Sequence, residues 1–269
     1  MPELPEVETI VRELKALEGR RPTALKVHWE RTATPGVEPL RKTLLGGFIE
    51  KVYRRGKYIL LQMDHGDVVS IHLRMTGKLV FQPTPKDLPY IRLSLELDRR
   101  AWLHFVDIRK FGRFDFFPRG MAILPNLGPE PLDEKVTASV LSSLKTTREL
   151  KKVLLDQTVL AGVGNIYADE ALFMARLSPF LPGIELGRKE AKVLASSLKK
   201  ILEASIANMG TTLSDYRNTK NIGGENQNYL RVYGQTGKPC GVCATPILRQ
   251  VIGSRSTHFC PVCQKMPGL

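Results

Sequence analysis

The strongest constraint on the fold is a pair of cysteine knuckles near the C-terminus, Cys240-Gly-Val-Cys243 and Cys260-Pro-Val-Cys263, separated by 16 residues. The chain has no other cysteines. Four thiolates in this spacing form the donor set of a tetrahedral zinc ribbon, so the chain must double back and bring the knuckles together. Four protein ligands leave no open coordination position, and the expected ion is one structural Zn2+, a staple with no catalytic part. Two disulfides or a rubredoxin-like iron site are the alternatives; disulfides suit a chain of oxidising compartments poorly matched by the remaining sequence.

Around this staple the chain reads as an ordinary globular protein. It has 269 residues, 42% hydrophobic and 25% charged, a length that favours two domains over one core. No apolar run is long enough to span a membrane. The opening MPELPEVETI carries three glutamates in eight residues and no secretory apolar region, so an intracellular, cytoplasmic chain is expected. Lys and Arg outnumber Asp and Glu by 40 to 27, a net +13. Such a surface attracts polyanions, nucleic acid first among them. A membrane surface would call for a basic amphipathic helix, and none stands out.

Periodicity sets the organisation. Val7, Ile10, Val11, Leu14 and Leu17 recur at helical spacing between Pro5, suited to a first turn, and Gly19, suited to an exit. Short strands follow at 24–31, 48–54, 57–63, 67–74, 78–82, 90–97, 101–107 and 113–117, with turns at 64–67 and 98–100, the texture of a β-sandwich. Pro118, Pro125, Pro129 and Pro131 mark a linker. Helices are expected near 136–144, 148–156, 165–176 and 187–209, with Asn165 as an N-cap and Gly210 as a stop. Residues 211–237 read as a mobile functional loop. The domains are therefore 1–118, a linker 119–134, a helical domain 135–237 and the zinc finger 238–269, an α+β chain overall.

Several separated motifs then resemble the formamidopyrimidine-DNA glycosylase family. They are Pro2-Glu3-Leu4-Pro5-Glu6, Arg55-Gly56-Lys57-Tyr58, His72-Leu73-Arg74-Met75-Thr76-Gly77, Asp107-Ile108-Arg109-Lys110-Phe111-Gly112, Ala161-Gly162-Val163-Gly164-Asn165 and Arg255-Ser256-Thr257-His258-Phe259-Cys260. The resemblance implies an N-terminal β-sandwich headed by a helix, a helix–two-turn–helix and a β-hairpin zinc finger. It also implies a monomeric, nucleoid-associated bacterial enzyme acting on damaged double-stranded DNA. The implied reaction is excision of oxidised purines such as 8-oxoguanine and formamidopyrimidines, followed by β,δ-elimination. Leu4 points to that branch and away from endonuclease VIII-like pyrimidine-lesion enzymes. A DNA-binding zinc protein without catalysis is the other alternative.

The residues bear this chemistry individually. Once Met1 is removed, Pro2 presents a secondary amine whose ordinary pKa, roughly 7.7–8.0, leaves an unprotonated fraction able to attack carbon and form an iminium. Glu3 beside it can donate a proton, and Glu6 can accept hydrogen bonds from the amine or from backbone N–H groups. The resemblance gives Lys57 and Arg255 phosphate contacts and roles in the eliminations. It makes Met75, Arg109 and Phe111 the trio that fills the gap left by an extruded nucleotide, and Asn165 and His72 phosphate contacts. Taken alone, Met75 and Phe111 would be core residues and Lys57 a solvated lysine. The chain departs from the family at Lys86-Asp87-Leu88-Pro89-Tyr90, where relatives carry a histidine pair, and at 221–227, a lesion-capping loop that lacks the aromatic common before its glutamine.

Overall fold

Proline lacks the N–H that a first helical turn leaves unpaired, and helix α1 spans Leu4–Leu14 with Pro5 in that turn. A 3-10 turn, Lys15–Leu17, extends it, and Gly19 leaves with φ +78°. The stripe Val7, Ile10, Val11, Leu14 and Leu17 is buried throughout.

The computed structural model describes residues 1–82, 88–98 and 101–264 and falls into two units. The first comprises Met1–Pro125 and Asn208–Glu225, the second Asn126–Ala207 and Asn226–Leu269. Lys86, Asp87, Arg99 and Arg100 lie outside the described residues.

In the first unit, strands β1 (Pro22–Val27), β2 (Ala33–Thr34), β3 (Ile49–Arg55), β4 (Tyr58–Met63), β5 (Val68–His72), β6 (Lys78–Gln82), β7 (Ile91–Leu97), β8 (Ala101–Val106) and β9 (Arg113–Phe117) build two sheets. One runs β1-β7-β8-β6, the other β2-β9-β5-β4-β3. All pairings are antiparallel except β2 with β9. Phe105 on β8 meets Phe114 on β9 edge to face at 5.3 Å, joining the two sheets through one core. The expected sandwich is thus present, with local corrections. Strand β1 stops at Val27 because the N–H groups of His28 and Trp29 both turn to the Arg92 carbonyl, and Glu30–Thr32 forms a 3-10 turn. Strand β5 stops at His72 because Arg74 takes φ +55°. A helix α2, Val37–Leu45, occupies a stretch with no expected element; Val37, Leu40 and Leu44 were its signal, and the latter two are buried.

The second unit holds α3 (Glu134–Ser142), α4 (Leu150–Leu155), α5 (Asn165–Met174), α6 (Arg188–Ala207) and the hairpin β10 (Leu248–Ile252) with β11 (Arg255–Phe259). Gln157 shapes the turns between α4 and α5: its amide donates to the Leu155 and Val163 carbonyls and its oxygen accepts the Gly162 N–H.

The compact units divide the chain differently from the expected domains at one segment. Residues 208–225, expected in the helical domain, belong to the first unit. Glu6 accepts the Thr211 N–H at 2.7 Å, and Glu13 accepts both the N–H and the hydroxyl of Thr219 at 2.8 and 2.7 Å. These bonds from α1 hold a segment whose polarity read as a mobile loop. The first unit also runs on to Pro125, past the expected end at 118.

Removing the Phe105 ring should open a cavity between the sheets. Phe105→Ala is expected to cost about 3–5 kcal/mol, measured as a lower urea midpoint at unchanged slope.

Candidate active site and zinc hairpin

The head of α1 is built around a buried carboxylate. Pro2, Glu3 and Glu6 are all buried. Glu6 Oε2 accepts the Glu3 N–H at 2.7 Å, and its Oε1 accepts the Thr211 N–H. Of the two kinds of partner expected for Glu6, backbone N–H groups therefore fix this turn. The neighbouring Gly210 has φ +82°, and a Cβ there would lie 2.8 Å from Glu6 Oε1, so glycine is needed twice over.

Lys57 sits in the two-residue turn joining β3 to β4, behind Gly56 at φ +55°. It is only 7% exposed, which removes the solvated-lysine alternative. Arg54 ties this turn to α1: its Nε pairs with Glu8 Oε2 at 3.0 Å, and its Nη1 donates to the Gly56 carbonyl at 3.0 Å. Burial pushes the Glu8 carboxyl up, but hydrogen bonds and charge from Arg12 and Arg54 outweigh it and hold the pKa below the usual range.

His72 is buried at the end of β5, edge-on to Tyr58. Its Nδ1 accepts the Arg74 N–H at 3.0 Å, which leaves the proton of the neutral ring on Nε2. Burial, with the positive charges of Arg74 and Lys57 beside it, lowers its pKa to about 3. His72 is thus a neutral donor at physiological pH.

Met75 and Phe111 are 45% and 49% exposed, and with the exposed Arg109 they lie on loops, not on core-facing strands. Arg109 Nη1 lies 3.0 Å from Met75 Sδ, and its guanidinium stands over the Phe111 ring at 4.9 Å. The three side chains form one exposed cluster.

At the C-terminus the four cysteines converge. Their sulfur atoms all lie within 4.8 Å of one another, and the cysteines are free thiols. Separations of 3.9, 3.4 and 3.5 Å exceed a disulfide bond of about 2.05 Å and approach the roughly 3.8 Å edge that a zinc–sulfur distance of 2.3 Å gives a tetrahedron. The donor set and its geometry fit zinc. Gly253, at φ +61°, and Ser254 close the hairpin, which presents the exposed Arg255 at the start of β11.

Asn165 is not the N-cap of α5; Gly164 is. The Asn165 amide donates to the Ser256 carbonyl at 2.9 Å and so ties the helix start to the strand that carries Arg255. A buried ion pair reinforces the tie. Lys151 Nζ reaches Asp169 Oδ1 at 2.5 Å and the Asn165 carbonyl at 2.8 Å, while Asp169 Oδ2 accepts the His258 N–H at 2.9 Å. Glu170 accepts the N–H groups of Arg231, Val232 and Tyr233.

Sequence reasoning passed over Arg54, Lys151, Asp169 and Glu170. The last two had a readable signal, since adjacent acids inside the apolar stretch Ile166–Phe173 demand partners. Arg54 and Lys151 had none, because nothing local marks which cation will be buried.

Comparison with known proteins gives three successive matches. Residues 1–114 match the formamidopyrimidine-DNA glycosylase N-terminal domain, 127–217 its H2TH domain, and 237–265 the zinc finger found in FPG and IleRS. The chain is 44% identical over 274 residues to the formamidopyrimidine-DNA glycosylase of Herpetosiphon aurantiacus, covering 98% of this chain and 100% of that one. With the Streptococcus pyogenes protein of the same name the identity is 42%, covering 98% and 99%. Among solved structures, Lactococcus lactis Fpg in complex with DNA containing an abasic site superposes with a TM-score of 0.87 at 34% identity, covering 98% of this chain and 100% of that one.

Two outcomes are expected from the site itself. Purified protein should carry one zinc per chain by elemental analysis, and Cys260→Ser should lose it together with the near-native order of the 248–259 hairpin, read by hydrogen exchange. The His72 ring signals should stay constant by NMR from pH 8 to 5. Because an unfolded histidine titrates near 6.5 and His72 near 3, the unfolded chain binds the extra proton between these values. The His72 contribution to stability is therefore complete above about pH 6.5 and lost progressively as pH falls towards 3, a loss that His72→Gln should reduce.

Proposed function

Because the chain belongs to the formamidopyrimidine-DNA glycosylase family, we propose that it is a bifunctional glycosylase and abasic-site lyase that removes oxidised purines from duplex DNA in base excision repair. The observation that carries the reading is the burial of Pro2 and Glu3 at a helix head locked by Glu6, with the Lys57 turn bound to the same helix through Arg54.

After removal of Met1, the Pro2 amine attacks the deoxyribose C1′. The bond from C1′ to the base and the C1′–O4′ bond both break, Glu3 delivering a proton to the sugar ring oxygen or the leaving base, and the opened C1′ is left as the iminium of Pro2. Loss of a C2′ proton then expels the 3′ phosphate, and loss of the C4′ proton in the second elimination expels the 5′ phosphate. Lys57 and Arg255 hold these phosphates and assist the eliminations. The neutral Nε2–H of His72, the start of α5 and the Asn165 amide supply further phosphate donors. Met75, Arg109 and Phe111 enter the duplex where the damaged nucleotide leaves it. When bound, zinc supplies no chemistry to the reaction; it stiffens the hairpin behind Arg255.

Excess positive charge suits a duplex partner, and no described helix is long and apolar enough to cross a membrane. We place the enzyme in the bacterial cytoplasm, on the nucleoid, as a monomer. A broader substrate range has one specific support: a Lactococcus lactis Fpg structure, at 34% identity, holds DNA containing an oxidised pyrimidine.

Borohydride added during turnover of an 8-oxoguanine duplex should trap protein on DNA, with the adduct on Pro2 by peptide mapping. Retaining Met1 should abolish trapping while duplex binding persists. Glu3→Gln should bind the lesion yet slow base release by about 100-fold or more. Absence of any adduct, with purine or pyrimidine lesions alike, would refute the lyase reading in favour of a DNA-binding zinc protein. Arg255→Ala should make the slope of log affinity against log salt shallower by roughly one unit.

A further inference from the structure

Two loops carry the exposed trio, and one buried carboxylate holds both. Asp107, 1% exposed, follows directly on the end of β8. Its Oδ2 accepts the Gly112 N–H at 2.8 Å, and its Oδ1 accepts the Arg109 N–H at 3.2 Å, closing the 107–112 loop upon itself. The same Oδ1 accepts the hydroxyl of Thr76 at 2.5 Å, which reaches over from the other loop, and the Thr76 oxygen lies 3.3 Å from the Arg109 N–H. One hydrogen-bonded knot therefore joins the residue after Met75 to the backbone of Arg109.

The packing beneath the knot leaves the loops little choice. A Cβ on Gly112 would lie 2.1 Å from Phe105 Cζ, and one on Gly77 would lie 2.9 Å from Phe105 Cε2, so both loops rest on a single ring. Arg74 and Lys110 hold φ values of +55° and +61°, which non-glycine residues adopt only where the surroundings over-determine them. The Asp107 carbonyl also accepts Arg92 Nε at 2.7 Å.

We propose that Asp107 and Thr76 are positioning residues for lesion extrusion: their bond pre-assembles Met75, Arg109 and Phe111 as one rigid wedge before DNA arrives. An exposed wedge that had to be ordered on the duplex would lose side-chain and loop entropy at the moment of insertion. A wedge held in register by a desolvated carboxylate avoids that loss and sets the guanidinium of Arg109 against the edge of the orphaned base. Recognition of the opposite base would then depend on residues that do not touch DNA. The proposal rests on the trio entering the duplex.

The test compares Asp107→Asn, Thr76→Val and Thr76→Ser with Arg109→Ala, using 2-aminopurine beside an 8-oxoguanine to follow insertion by stopped-flow fluorescence. Thr76→Val keeps the side-chain shape and lies at a half-exposed position, so it guards against misfolding of the Asp107 variant. Asp107→Asn and Thr76→Val are expected to slow the insertion phase about tenfold and to lower the ratio of excision opposite cytosine to excision opposite adenine. Thr76→Val should keep its zinc and a single cooperative thermal transition, its midpoint lowered only by the loss of one hydrogen bond, and Thr76→Ser should restore both insertion and ratio. A folded Thr76→Val with wild-type insertion and ratio overturns the proposal, provided Arg109→Ala slows insertion. If Arg109→Ala is silent as well, the trio does not enter the duplex, and the reading of the trio falls together with the proposal.

Discussion

A carboxylate removed from water must find donors or cations, and the loops on which the chemistry rests are arranged around acids in that condition. Glu6, Asp107, Asp169 and Glu170 are each at most 2% exposed. An interior charge left without partners costs several kcal/mol, so every loop that supplies a partner is held to one arrangement. Glu6 orders the turn after Pro2 and the segment beginning at Thr211. Asp107 orders the two loops of the exposed trio. Glu170 gathers residues 231–233, which lead into the first cysteine knuckle. In each case the acid sits on a helix or at a strand end, and irregular backbone is built upon it.

The zinc hairpin shows why such ties are needed beside the metal. Its own apolar support among the described residues is small, chiefly Phe173, Val232 and Ile247 around Cys240 and Cys260. Two strands alone are marginal. Metal fixes the knuckles, while Asp169 and Asn165 bind the far strand at His258 and Ser256. Arg255 is the next residue outward, exposed at the start of that strand. Its placement is therefore set from two sides, by four sulfur atoms and by a buried Lys151–Asp169 pair.

Electrostatics divides the groups proposed to bind phosphate into two kinds. Arg255 is an exposed point of charge suited to a screened, salt-sensitive contact. Lys57 and His72 are buried, and the charge of Lys57 helps to keep His72 neutral. A neutral imidazole donates without adding charge, so it can approach a phosphate beside a lysine without repelling it.

Patterns confined to a few neighbouring residues were legible in the chain alone. The zinc knuckles, the stripe of α1, the short strands of the sandwich and the helix exit at Gly19 each arise from local spacing, because metal geometry, helical period and glycine's access to positive φ act over short range. The motif residues Pro2, Glu3, Lys57 and Arg255 were marked out by resemblance alone. Their neighbours were not. That Met75 and Phe111 are exposed, that Asn165 holds Ser256 and leaves the cap to Gly164, that residues 208–225 pack with α1, and that Arg54, Lys151 and Asp107 are the buried anchors are consequences of tertiary structure. Each depends on a partner between 14 and 210 positions away in the chain. Burial decides which charges must be paired, and burial is a property of the folded packing that no local pattern contains.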